Sequence, residues 1–584
     1  MAARGRLPFA ALPCPKPWMP GDSSLLQPQT AGEKMIWIQE YTPLGNMTLS
    51  ALLAVVPFAL LCWQLVIKRR SGHVAIATAL AAAFVLAAAW QMPLSKVASA
   101  TLYGAAYGLF PMVWIVFPAM WLYNMTVDSG QFAIVRASIG DLTPDIRIQA
   151  IFIAFAFGAL LESTSGSGSP VAIGAAMLIG LGFPPIQAAG ICLLANTVPV
   201  AFANMGLPLL VAGQVSELNS FYIGQAVGRQ LPLVALFVPA WICLLVCGLR
   251  RTREIWPVLL VAGLGSSIPT CLLANFHGVV LAGMGGAVGS LLGITVLLRV
   301  WRPARTLSFT ENGGILERDT ASLPTGSAYS AKETFRAWLP WVMLTLMVFV
   351  SNIGPVRSAL DGIFSPVIQW PLIDQLVIKT APLVAQDTPS AALLKLNLLT
   401  APGSWIAATA LLSPFIIPGY SYKRTFLVLW QTVYQMRFAI LSIMMILAMA
   451  QLMNYSGMSY TLGLAFTQIG FLFPLLSPIL GWIGVFFTGS DTSSNALFCG
   501  MQRTTAEAVG MNPYLATAGN TTGGITAKMV SPQSIAVAVG ATGLVGREGD
   551  LLRYTARHSF IMLGIICLLT WLQSGPLAFM IPVF

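Results

Sequence analysis

Apolar runs long enough to cross a lipid bilayer follow one another along this chain and leave little room for any other architecture. A helix rises 1.5 Å per residue and the hydrocarbon core is about 30 Å thick, so about 18 or more mostly apolar residues mark a span. Runs of that kind stand at about 48–67, 73–92, 101–124, 184–213, 230–249, 255–275, 278–299, 337–354, 403–419, 426–453, 512–530 and 557–574. None shows the two-residue alternation of a transmembrane strand, which argues against a β-barrel. The composition agrees. Of 584 residues, 56% are hydrophobic and 9% charged, and mean hydropathy is +0.77; an ordinary soluble domain carries about 25% charged residues. The expectation is an all-α polytopic membrane protein embedded in the lipid bilayer, with about 12–14 membrane segments.

A net charge of +11 invites a nucleic-acid reading, but the basic residues sit in short clusters between apolar runs, so no nucleic-acid partner is expected. One set of loops holds Lys68, Arg69, Arg70, Arg136, Arg147, Arg250, Arg251, Arg253, the 299–336 group, Lys423, Arg424, Arg547, Arg553 and Arg557, 19 charges in all. The alternate loops hold six: Lys96, Arg229, Arg357, Lys379, Lys395 and Arg503. The rich set marks the cytoplasmic side. The eight cysteines form no CxxC pair and the chain has three histidines, so no metal site is expected and the cysteines read as small packing residues. Residues 1–34 are Pro-rich, without the apolar stretch of a signal peptide, and read as a disordered extension.

Two stretches refuse the simple pattern. Ile148–Leu161 and Val171–Gly182 are apolar but short, and between them lies Glu162-Ser-Thr-Ser-Gly-Ser-Gly-Ser-Pro170. A hairpin near 148–182 that enters and leaves on one side, with its polar tip at mid-membrane, explains both. Irregular backbone at that depth is tolerated where protein or a watery cavity surrounds it. The pattern recurs near 477–508, where a short apolar run meets Gly489-Ser-Asp-Thr-Ser-Ser-Asn495. Each hairpin is followed by a helix expected to break at an Asn-Thr pair, Asn196–Pro199 and Asn520–Gly524. The first hairpin opens inward by the charge pattern and the second outward. The chain then divides into a first half, 35–300, a cytoplasmic linker, 301–336, and a second half, 337–584, of opposite topology. Paired broken helices in inverted halves point to a secondary transporter with its site at their interface.

The stretches "FTGSDTSSNALF" (487–498), "AGNTTGGITAKMVSPQSIAVAVGATGLVG" (518–546) and "WIQEYTPLGN" (37–46) resemble the lactate permease family of bacterial membrane transporters, a resemblance that extends over about 35–584. It implies uptake of L-lactate by proton symport across the bacterial plasma (inner) membrane, with D-lactate and glycolate as further substrates. It implies no cofactor beyond the proton as coupling ion. The first hairpin departs from the family's usual tip, with hydroxyl residues in place of small apolar and aromatic ones.

A 2-hydroxy acid, the expected small-molecule partner, offers a carboxylate and a hydroxyl. Half-helix N-termini receive the first, and Ser or Thr hydroxyls and glycine backbone receive both. The substrate-binding expectation is Ser165, Gly166, Ser167, Gly168 and Ser169 on the first tip, and Ser490, Thr492, Ser493, Ser494 and Asn495 on the second. Asn196, Asn520 and Thr521 belong to the two breaks, where the asparagines satisfy freed backbone groups. Lys528 pairs with the substrate carboxylate or with Asp491. Glu162 and Asp491, carboxyl groups at membrane depth, are the candidates for proton coupling; Glu162 is favoured, since Asp491 can instead cap its own helix. Arg437 is placed near the inner interface. A sodium-coupled carboxylate symporter is the nearest alternative. An intramembrane serine hydrolase lacks a base, because His73, His277 and His558 lie away from the polar clusters; a channel lacks charge rings. Nothing in the sequence sets the oligomeric state.

Overall fold

A computed structural model describes residues 36–584 except 69, 141–142, 165–168, 310–313, 320–328, 352, 384–385, 545–546 and 583–584. The extension 1–34 lies outside the described residues. The described chain is mostly helical. Among the described residues nine helices are long and apolar enough to cross a membrane, and shorter apolar ones, Met47–Leu61, Gly72–Leu86 and Pro402–Ile416, lie among them.

The first hairpin is built from α1 (Ile146–Thr164) and α2 (Ser169–Gly180), which pack on each other. α1 has 19 residues, about 28 Å, longer than the 14-residue apolar run suggests. The reason lies in its ends. Asp145 caps the helix by accepting from the Arg147 backbone at 2.9 Å. The fully buried Arg147 guanidinium binds Asp145 (2.7 Å), Glu254 (2.9 Å) and the Arg305 carbonyl (2.8 Å). Paired in this way, a charged residue can sit inside the fold, and the helix continues past the apolar stretch. Arg305 opens an antiparallel pair, Arg305–Phe309 with Ile315–Asp319, so the linker docks against the hairpin instead of hanging free.

A broken helix follows: α3 (Pro185–Ala195), a 3₁₀ turn Val198–Phe202, and α4 (Ala203–Ser216). The break begins at Asn196, as the sequence suggests. The second hairpin is α5 (Phe473–Thr488) and α6 (Asp491–Val509), joined through Gly489 at φ +66°. Then come α7 (Pro513–Ala527), a 3₁₀ turn Lys528–Val530 and α8 (Pro532–Thr542). This second break falls at Lys528–Ser531, not at Asn520–Gly524, which is continuous helix. The glycines there serve packing. A Cβ on Gly523 would lie 2.1 Å from the Pro478 carbonyl oxygen, and one on Gly481 would lie 1.9 Å from that of Asn520. α5 and α7 therefore touch backbone to backbone, which only glycine permits.

Outside the bundle, Trp37–Ile38 pairs in parallel with Val377–Ile378, and Val367–Gln369 pairs with Leu393–Lys395. The mixed region 355–402 is thus a small folded cover, not loose connection.

Candidate functional site

The helix breaks, the tip of the second hairpin and the end of α1 converge on a cavity of about 310 Å³. α1 contributes Glu162; α4 contributes Asn204, Leu207 and Pro208; the second tip contributes Thr488 to Ser493; and the second break contributes Lys528, Gln533 and Ser534. The cavity extends to Gly72, just after the basic Lys68-Arg69-Arg70 cluster of the sequence, so it runs toward the side that the charge pattern makes cytoplasmic.

Its walls are chemically mixed. The first turns of α6 and α8 face it. Their caps are Ser490, whose Oγ accepts from the Ser493 backbone at 3.3 Å, and Ser531, whose Oγ accepts from the Ser534 backbone at 3.3 Å. A helix N-terminus carries free N–H groups and a positive dipole end, a place for an anion. Ser490 is therefore the cap, and Asp491 is left free of that duty. Both Asp491 carboxylate oxygens are buried without a hydrogen-bond partner, as is Glu162 Oε2. Asp491 is 2% exposed and Glu162 1%. A buried, unpartnered carboxylate is costly, and two on one cavity need a cation or a proton.

Lys528 is the cation. It is 7% exposed and its Nζ donates to the Gly489 carbonyl at 2.9 Å. It acts through space on both Glu162 and Asp491 but forms no ion pair within 4.0 Å with either. It neither pairs with Asp491 directly nor snorkels to an interface. Gly524 makes room behind the carboxylate: a Cβ there would lie 2.7 Å from Asp491 Oδ1.

Of the residues expected from sequence, Glu162, Ser490, Asp491, Thr492, Ser493 and Lys528 share this cavity. Ser494, Asn495, Asn196, Asn520 and Thr521 do not line it. Ser494 Oγ donates to the Gly481 carbonyl at 3.1 Å, tying α6 to α5. Asn495 Nδ2 donates to the Pro208 carbonyl at 3.0 Å, and its Oδ1 accepts from Asn520 Nδ2 (2.8 Å) and Thr521 Oγ1 (3.1 Å). Gln502 Nε2 donates to Asn520 Oδ1 at 2.7 Å. This buried network locks α4, α6 and α7 together. Asn196 stands at the end of α3 beside the Glu162 carboxyl. Neither asparagine caps freed backbone. Ser165, Gly166, Ser167 and Gly168 lie outside the described residues, and Ser169 begins α2. Arg437 is exposed, stacks 3.7 Å over Tyr434 and stays away from the cavity.

Two features escape sequence reading. Asn204, Met205 and Gly206 take φ of 47°, 57° and 77° in succession, so α4 begins with a left-handed kink. The Asn-Met-Gly-Leu-Pro run was the available signal. The second is an outer vestibule of about 660 Å³ at the far end of α4. There Glu217, the left-handed cap of α4, binds Lys379 and, at 2.9 Å, Arg503; Arg503 also binds Glu507 at 2.8 Å. Arg503 lies on α6, 12 residues beyond Asp491 and about 18 Å along the helix. Helices α4 and α6 pack together, and each reaches from the inner cavity to the vestibule.

The sequence model of the family described as L-lactate permease matches residues 50–575. The chain is 44% identical over 549 residues to the glycolate permease GlcA of Escherichia coli strain K12, covering 92% of this chain and 98% of that one. It is 41% identical over 569 residues to the L-lactate permease of Bacillus subtilis strain 168, covering 94% and 100%. It is 42% identical over 557 residues to the L-lactate permease of Escherichia coli strain K12, with the same coverage.

Proposed function

Because the chain belongs to the L-lactate permease family, transporters and not enzymes, we propose that it takes up L-lactate and related 2-hydroxy monocarboxylates, D-lactate and glycolate among them, by proton symport. Its place is the bacterial inner membrane, which it crosses many times. The observation that carries the reading is the meeting of Glu162, Asp491 and Lys528 on one buried cavity between a hairpin tip and two helix breaks.

The substrate carboxylate binds between the Lys528 ammonium and the first turn of α6. There it meets a point charge and oriented N–H groups in a low-dielectric setting. Ser490, Thr492 and Ser493 supply adjustable donors and acceptors for the 2-hydroxyl. An arriving anion adds a third negative charge beside Glu162 and Asp491, and one ammonium cannot balance three. Protonation of Glu162 offsets the charge that the anion adds and returns the site to its balance before binding, so proton and substrate bind together more readily than either alone; this is a reciprocal coupling free energy. Asp491 then tunes Lys528 and the second tip. Movement of the loaded site exchanges the inner opening for the outer one, and the Glu217–Arg503 pair ties α4 to α6 at the vestibule while the inner side is open.

The test is uptake of labelled L-lactate, D-lactate and glycolate into proteoliposomes holding the full chain, under an imposed pH gradient and then a sodium gradient. The reading requires accumulation driven by the pH gradient at constant sodium. Accumulation that follows sodium and ignores pH would give the site to a metal cation instead.

A further inference from the structure

The cavity holds a polar group that the carboxylate and 2-hydroxyl of a simple acid leave unused. Asn204 opens α4 in a left-handed conformation, followed by Met205 and Gly206 in the same region. Gly206 fixes this course, since a Cβ there would lie 2.8 Å from the Val279 carbonyl oxygen. Non-glycine residues rarely hold such angles, and strain of this sort persists where surrounding packing imposes it, often at ligand sites. Here it brings Asn204 to the cavity, where Oδ1 is buried without a hydrogen-bond partner.

The rest of the cavity accounts for the other groups. Lys528 and the α6 terminus answer the carboxylate, and the hydroxyls of the second tip answer the oxygen on C2. Asn204 comes from a different element and serves neither. An acid whose C3 is a methyl offers that amide nothing and leaves its buried Oδ1 without the bond that a C3 hydroxyl would donate. Such a loss separates otherwise similar ligands by about tenfold or more. An acid with a hydroxyl on C3 supplies both a donor and an acceptor to the amide.

We infer that the preferred substrate is a 2,3-dihydroxy monocarboxylate of the glycerate class, its C3 hydroxyl bonded to Asn204. The inference rests on the cavity being the transport site. Its test is competition by glycerate, lactate, glycolate and propionate against labelled lactate uptake in proteoliposomes of the full chain. Glycerate is expected to compete about tenfold better than lactate, and propionate worst. Asn204→Gly, which suits a left-handed backbone and so favours folding, is expected to bring glycerate within about twofold of lactate while lactate uptake persists. Lactate equal to or better than glycerate in the unaltered protein overturns the inference without any variant, and so does an undiminished glycerate advantage in Asn204→Gly. Lys528→Ala with unaltered uptake of both acids would instead remove the cavity as the transport site, a separate failure.

Discussion

Lys528 donates to the carbonyl of Gly489 across 2.9 Å, so the break between α7 and α8 is fastened to the tip of the second hairpin by the one ammonium in the cavity. The bond fixes a charge where two carboxylates need one. It also places a cation at the C-terminal end of α5, where the helix dipole favours it. A residue that looks like a stray basic side chain in an apolar stretch is, among the described residues, the cation that lines this cavity.

Replacing that ammonium removes both functions. Lys528→Gln is expected to raise KM for lactate by about 10- to 100-fold, since a hydrogen bond to a charged group contributes about 1.5–3 kcal/mol. Initial-rate uptake across a substrate series measures it. An unchanged KM would take the substrate carboxylate away from Lys528.

Gly524 tests the placement of Asp491 from behind. Gly524→Ala drives a methyl to 2.7 Å from Asp491 Oδ1 and is expected to impair transport while the protein stays folded. Gly523→Ala, one residue away, meets the Pro478 backbone at 2.1 Å and is expected to lower Tm, because overpacking typically costs about 1–3 kcal/mol. Thermal melting in detergent, paired with uptake, separates the two. Equal Tm losses would mean that the Asp491 side chain sits elsewhere.

The buried amide network makes the opposite prediction. Asn520→Ala takes one hydrogen-bond partner from each of Asn495 and Gln502 in a dry interior, at about 0.5–1.5 kcal/mol each. The expected result is reduced Tm with little change in KM for whatever protein survives. A large KM change at wild-type Tm would return Asn520 to the substrate.

The vestibule pair carries a pH dependence. Burial pushes the Glu217 carboxyl upward, but Lys379 and Arg503 outweigh it and hold the group below its ordinary value. A depressed folded-state pKa stabilises the fold above the ordinary carboxylate value, about 4.3, and that stabilisation is lost as pH falls through the folded value. Because 37% of the side chain is open to the vestibule, water screens the pair and the effect is modest. Melting curves from pH 7 to pH 3 should show an acid-side loss of stability that Glu217→Gln reduces. Parallel curves for both proteins would mean that the pair does not hold the outer side.

The architecture was legible because the bilayer imposes a length rule on apolar runs, and short runs broken by polar clusters violate it visibly. Glu162 and Asp491 stood out for the same reason. The second break was misplaced because glycine and asparagine in a row look the same whether they end a helix or let two helices touch; Gly481, Gly523 and their partner carbonyls are far apart in sequence. Asn495 and Asn520 read as site residues because polar groups at membrane depth have two uses, binding cargo and binding each other. Asn204 was missed because its value lies in a left-handed backbone set by the packing of Gly206 on Val279, of which the Asn-Met-Gly-Leu-Pro run shows only the local half.

The most direct test of the account is proton-driven accumulation by Glu162→Gln in proteoliposomes, measured beside lactate–lactate exchange in the same vesicles. A permanently neutral side chain at 162 should bind and exchange lactate yet fail to concentrate it under a pH gradient. Undiminished uphill accumulation by Glu162→Gln would contradict the claim that this carboxyl carries the proton.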